Sequence, residues 1–340
     1  MGEAPLRSSE LKRKIFALYA GLIPANLAAW AYALLLLRDR PLLLGTAALA
    51  YGFGLRHAVD ADHIAAIDNV TRKLMQDGRR SVTVGLFFAL GHSSVVFAAS
   101  VLVALTAGDL ARVEGLKAVA GTLSTMISAG FLFAIAVANL SILKGVLKLR
   151  RRLKAGAADL DVATPIASGL IGRLLRPMFV MISASWQMAP LGLLFGLGFE
   201  TATEVSVMGL SASQASSGAP LALALVFPTL FAAGMSLVDA TDGVLMAGAY
   251  HWAFVDPGRK LTYNLAITLL SSAVAVTIGS VETAGLIAQQ LHLKGSAWSV
   301  ADRIAEHFNL LGMAIIGLFA AGWLASVAVT RLRAPRPEEA

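Results

Sequence analysis

The sequence contains no cysteine and little charge. Without cysteine there is no disulfide, no thiolate metal ligand and no cysteine nucleophile. Asp, Glu, Lys and Arg make up only 14% of the 340 residues, where soluble domains run near a quarter. No Walker A pattern (GxxxxGK followed by Ser or Thr) occurs, which argues against ATP hydrolysis by this chain, and no HExxH, which argues against a zinc protease. No loop is rich in histidine, so a device for capturing metal from one side is missing. The opening stretch "MGEAPLRSSELKRKIF" runs into apolar sequence without an A-x-A-like cleavage site, so no secretory signal is expected.

What is abundant is apolar sequence. Hydrophobic residues make up 57% of the chain and the mean hydropathy is +0.71. A membrane-spanning helix needs roughly 20 mostly apolar residues, and the pattern predicts an all-α polytopic membrane protein. Eight spans are expected, near 15–37, 42–67, 81–106, 117–144, 186–211, 219–248, 261–288 and 308–330. Placing both termini in the cytoplasm puts 21 of the 28 Lys and Arg in inner segments and six in outer loops, with Arg56 inside span two. That bias follows the positive-inside rule. It accounts for the net charge of +7 without nucleic acid as a partner, and reads "KGVLKLRRRLK" at 144–154 as a topology anchor. The chain is expected to be one transporter domain, 1–340, with a basic cytoplasmic linker at about 145–185. That linker ends in an amphipathic stretch, "IGRLLRPMF", suited to the membrane surface. "VDA" recurs at 59–61 and 238–240, a faint hint of two related halves.

Four clusters break the apolar economy: "RHAVDADHI" (56–64), "LGHSS" (90–94), "LGFETATE" (197–204) and "GMSLVDATDG" (234–243). A charged residue at a helix centre costs about 2.5–3.5 kcal/mol on insertion scales, so such residues read as functional. Together they bring His57, Asp60, Asp62, His63, His92, Glu200, Glu204, Asp239 and Asp242 into the membrane, all toward its cytoplasmic half. Imidazole and carboxylate without thiolate suit a borderline divalent ion such as Ni2+, Co2+ or Zn2+. Magnesium prefers oxygen ligands and retained water.

Helix geometry limits how these residues act together. His57, Asp60 and His63 fall within an arc of about 120° on a straight helix, but His57 and His63 are separated by a rise of about 9 Å. Ligands of one ion lie about 2 Å from it. Either the helix unwinds at Gly52, Gly54 and beyond, as transporter helices do at their sites, or the residues serve successive positions along a path. Asp60 has two readings, as a ligand or as the counter-charge of Arg56. Glu200 and Glu204, at i and i+4, share a face, as do Asp239 and Asp242 at i and i+3. Asp68 and Asn69 are expected to cap the end of span two. Asn26 reads either as a ligand or as a packing amide.

His57, Asp62 and His63 form a His-x4-Asp-His pattern in the second span, and here the chain resembles the bacterial nickel/cobalt transporter family. The resemblance extends over nearly the whole sequence, because the other three clusters also match family motifs in their expected spans. It implies an eight-span secondary permease for high-affinity uptake of Ni2+, with Co2+ as the second candidate. The ion is then a substrate and not a prosthetic group, and no ATPase subunit is called for. The setting is the bacterial inner membrane. The family usually has Asp where Glu200 stands, and Asp-Thr where Asp239 and Ala240 stand. It also places ion selectivity at the position of Val59, where valine leans toward nickel.

Three other readings compete. An exporter of transition metals would carry a histidine-rich capture loop. An intramembrane metalloenzyme would keep an open metal position with a water and a base. A metal-sensing receptor would carry a signalling domain. A permease that is not an enzyme is the expectation.

Overall fold

An apolar helix can sit in lipid because all its backbone polar groups bond within the segment, and the described residues build almost nothing else. The computed structural model describes residues 8–79, 81–106, 110–154, 182–197, 202–254 and 257–293, with parts of 295–321. Among these residues every long element is an α-helix. The first five are α1 (Ser8–Leu37), α2 (Pro41–His57), α3 (Ala61–Gln76), α4 (Val84–Leu105) and α5 (Leu110–Lys154). They are followed by α6 (Met188–Gly196), α7 (Ala202–Ser216), the single turn α8 (Leu221–Ala224), α9 (Val226–Phe254) and α10 (Pro257–Gln290). Residues 310–318 are also helical.

Five helical stretches are long and apolar enough to cross a membrane: Ser9–Leu37, Val84–Leu105, Gly121–Leu140, Leu221–His251 and Thr268–Gln290. The pair α2 and α3, bent by 52°, makes a sixth if it is one broken span. These correspond to expected spans one to four, six and seven. The fifth is divided between α6 and α7, with 198–201 outside the described residues, and most of the eighth is also outside them. Side chains such as Phe16, Leu35 and Leu42 are strongly exposed, as a lipid-facing surface requires.

The 45 residues of α5 extend about 68 Å at 1.5 Å each, more than twice the roughly 30 Å hydrocarbon core. Its apolar part is Gly121–Leu140, so the basic run beyond is a helical extension. The first ten residues of the expected linker therefore continue a helix. Residues 155–181, including "IGRLLRPMF", lie outside the described residues.

The break between α2 and α3 is the feature that positions the site. Helix α2 does not unwind at its glycines. It continues through Gly52 and Gly54 to His57 and stops three residues past Gly54. Gly54 serves packing instead: a Cβ there would stand 3.0 Å from Phe231 Cα on α9, so only glycine allows the two backbones to meet. The chain then turns through 58–60, with Val59 N donating to Arg56 O and Asp60 N to His57 O. Asp60 is extended, at φ −67° and ψ 146°, and starts α3. A side chain at Gly312 would run into the Val59 carbonyl and Ile64, so helix 310–318 backs the break. Val59 itself packs into the cluster of Ile64, Leu132, Ile278 and Ile315.

Helix α3 runs to Gln76, so Asp68, Asn69 and Arg72 are buried inside it, not at its end or in a loop. Asp68 accepts from Tyr250 Oη and from Ser271 Oγ (2.6 Å). Arg72 donates to Thr268 Oγ1 (2.7 Å) and Asn69 Oδ1 (3.1 Å), and Asn139 Nδ2 donates to the same Asn69 oxygen (2.7 Å). The hub ties α3 to α5, α9 and α10. Arg72→Leu removes these buried donors, a loss of about 1–3 kcal/mol. A clearly lower melting temperature in detergent is the expected result, with Arg72→Lys between the variant and wild type.

Candidate metal site at the helix break

His57 closes α2 and His63 lies in the first turn of α3. A straight helix would hold them apart. The turn at 58–60 folds them together, with ring centroids 4.8 Å apart. His92 enters from the middle of α4, with centroids 4.9 Å from His57 and 4.7 Å from His63. The three imidazoles thus form a triangle, and one nitrogen of each lies within 4.8 Å of the others. Glu204, in the first turn of α7, completes the group. His57 Nε2 and His92 Nε2 are 2.9 Å apart, and Glu204 Oε1 is 3.0 Å from His92 Nε2 and 3.8 Å from His57 Nε2.

The two shorter spacings match those of adjacent ligands on a single ion. Donors about 2.1 Å from a common centre lie roughly 3.0 Å apart in octahedral and 3.4 Å apart in tetrahedral arrangement. The outward nitrogens of His63 and His57 meet other groups, while His92 Nδ1 has no hydrogen-bond partner among the described residues. His63 Nδ1 faces both Asp239 oxygens at 3.3 and 3.4 Å, leaving its Nε2 without a partner among the described residues. His57 Nδ1 faces Asp60 Oδ2 at 3.6 Å and Thr203 Oγ1 at 3.4 Å. A carboxylate behind an imidazole fixes its orientation and raises its basicity as a ligand. Asp60 therefore lies behind His57, and it forms no ion pair with Arg56 among the described residues.

Close helix contacts hold this arrangement. Gly91 lets α4 meet Ala189, and Gly192 lets α6 meet Phe88 and His92. Gly85 lets α4 approach the Asp239 carbonyl of α9, which brings Asp239 to His63. Phe88 stacks edge-on against His63 (4.8 Å), and Phe231 lies over His57 (5.5 Å). The site is closed off from the surface: His63 and Asp239 are fully buried, and His57, His92 and Glu204 nearly so.

The remaining expected site residues fall elsewhere. Asp62 is half-buried, and its Oδ1 accepts from the backbone N of His63 at 2.9 Å. Asp242 is buried one turn beyond Asp239, and neither of its oxygens has a hydrogen-bond partner among the described residues. Val59 is in the turn, and Glu200 lies outside the described residues. Asn26 is a packing amide, donating to Leu22 O and accepting from Tyr51 Oη. Sequence reasoning missed Thr203 and the phenylalanine walls. Thr203 could have been noticed as the neighbour of Glu204 in "TATE", and Phe88 as the residue one turn before His92.

Comparison with known proteins adds an independent finding. A family model described as "NicO: High-affinity nickel-transport protein" matches residues 43–329. A high-affinity nickel transport protein of Cupriavidus necator is 52% identical over 326 residues, covering 95% of this chain and 93% of that protein. The nickel transporter NicT of Mycobacterium tuberculosis is 39% identical over 354 residues, covering 95% and 92%. The cobalt transport protein NhlF of Rhodococcus rhodochrous is 39% identical over 304 residues, covering 86% and 85%. No solved structure matches.

Proposed function

Because this chain belongs to the NicO family of high-affinity nickel-transport proteins, we propose that it takes up Ni2+ through the imidazole and carboxylate cluster at the α2–α3 break. The observation that carries this reading is the convergence of His57 Nε2, His92 Nε2 and Glu204 Oε1 on one point, with His63 completing the group. Nitrogen-rich donors with one carboxylate favour Ni2+ or Co2+ over the hard cations. Co2+ is the second substrate, as the relative named for cobalt transport suggests. The protein is a multi-pass membrane protein of the transporter class; its place in the cytoplasmic membrane, with eight spans, one domain and both termini inside, belongs to the proposal.

In this mechanism the ligands replace the ion's water shell one by one. His57, His63, His92 and Glu204 bind, while Asp60 and Asp239 orient the two imidazoles at the break. The turn at 58–60 lets α3 tilt against α2 and open the site to alternate sides. A dication moving inward gains roughly 4.6 kcal/mol per 100 mV of membrane potential, which is enough to concentrate a trace metal. Val59 tunes ion choice through the shape of the turn, since its side chain packs into the hydrophobic cluster and not among the imidazoles.

Uptake of radioactive nickel by cells expressing the wild type, with cobalt as competitor, tests the proposal. Uptake that disappears in His57→Ala and is reduced by excess cobalt is the expected result. Unchanged uptake in His57→Ala would sink it.

A further inference from the structure

Asp242 takes no part in the imidazole cluster. It is 4% exposed, and neither carboxylate oxygen meets a hydrogen-bond donor among the described residues. Buried carboxylates are otherwise held by donors, and in a membrane segment an unsupported one is costly. The charges that act on it are themselves acids, Asp239 and Asp68.

The geometry of the two helices explains this placement. Helices α3 and α9 lie side by side, with a Cβ on Gly243 reaching Ile67 Cγ2 at 3.7 Å. His63 faces Asp239 across this seam. Farther along both helices come Asp68 and Asp242. Asp68 follows His63 by five residues and Asp242 follows Asp239 by three, and their chain neighbours Ile67 and Gly243 meet across the seam.

We propose that Asp242 and Asp68 form a second station for the transported divalent cation, an all-oxygen one about 7 Å along α3 from His63. This rests on reading the imidazole cluster as the first station. A dication between the two acids relieves their repulsion and supplies the partner that Asp242 lacks. Asp68 already accepts from Tyr250 and Ser271, but a carboxylate has about four acceptor positions, so room remains. Oxygen donors hold Ni2+ less tightly than imidazole, and the Arg72 charge beside Asp68 weakens the hold further. The ion passes from a tight nitrogen-rich site to a loose oxygen site, from which it leaves easily.

Equilibrium dialysis of the detergent-purified full chain against radioactive nickel tests this, alongside uptake by cells. Wild type is expected to bind two ions, one tightly and one weakly. Asp242→Asn loses the weak ion, leaves the tight one bound, and takes up nickel about tenfold or more slowly. His63→Ala does the reverse, losing the tight ion and keeping the weak one. Asparagine is isosteric with a neutral acid, so a purely structural Asp242 predicts unchanged uptake, and that result overturns the second station. A wild type that binds only the tight ion also overturns it. If Asp242→Asn fails to fold, Asp242→Glu decides: two bound ions support the station and one overturns it. A wild type that binds no nickel at all overturns the reading of the imidazole cluster instead.

Discussion

Alanine at His92 is expected to abolish nickel uptake, leaving cells that express the variant no better than cells without the protein. Two of the three short contacts of the site pass through His92 Nε2, at 2.9 Å to His57 and 3.0 Å to Glu204. Removing the ring deletes one ligand. It also removes the 3.0 Å contact of Glu204, leaving His57 Nε2 at 3.8 Å as its imidazole neighbour. Loss of a group that merely supports a ligand lowers affinity about 10–100-fold, so loss of the ligand itself is expected to exceed that range. The measurement is the initial rate of radioactive nickel uptake, normalised to the amount of protein in the membrane. A rate within about threefold of wild type would remove His92 from the ligand set, since a true ligand exceeds even the 10–100-fold range.

Valine at Gly192 is the second large effect, and it acts on assembly before chemistry. Helices α4 and α6 touch backbone to backbone around His92. A Cβ at Gly192 would stand 2.9 Å from Phe88 C and 3.1 Å from His92 N, and one at Gly196 would stand 2.8 Å from His92 O. These neighbours are main chain and cannot rotate aside. Overpacking in a core that can adjust costs about 1–3 kcal/mol; here two helices must separate, and His92 moves with them. The expected outcome is a large loss of monodisperse protein after detergent extraction, and no uptake by what remains. Gly209→Val is the control. A Cβ there meets nothing within 4 Å, so near-normal yield and uptake are expected. Equal yields for the two valine variants would refute the close-approach argument.

The amino-acid sequence determined the class of this protein. Sparse charge and long apolar runs mark a helical membrane protein, because each is a direct consequence of lipid as solvent. The chemistry of the site was also legible, since histidines and acids are too costly in a membrane to be incidental. The spacing of His57 and His63 even posed the right question, by showing that a straight helix could not join them.

Only the tertiary structure answered it. The break falls at 58–60 and not at the glycines, because Gly54 is used against Phe231 and Asp60 is free to restart a helix. Asp68, Asn69 and Arg72 look like the end of a span when polarity alone is read. They are buried because partners on α5, α9 and α10 satisfy them. Composition marks which residues are expensive to bury. Whether a given acid backs an imidazole, as Asp239 does, or stands without a donor among the described residues, as Asp242 does, depends on contacts between helices far apart in sequence. Those contacts are set by glycines and packing that no local pattern reports.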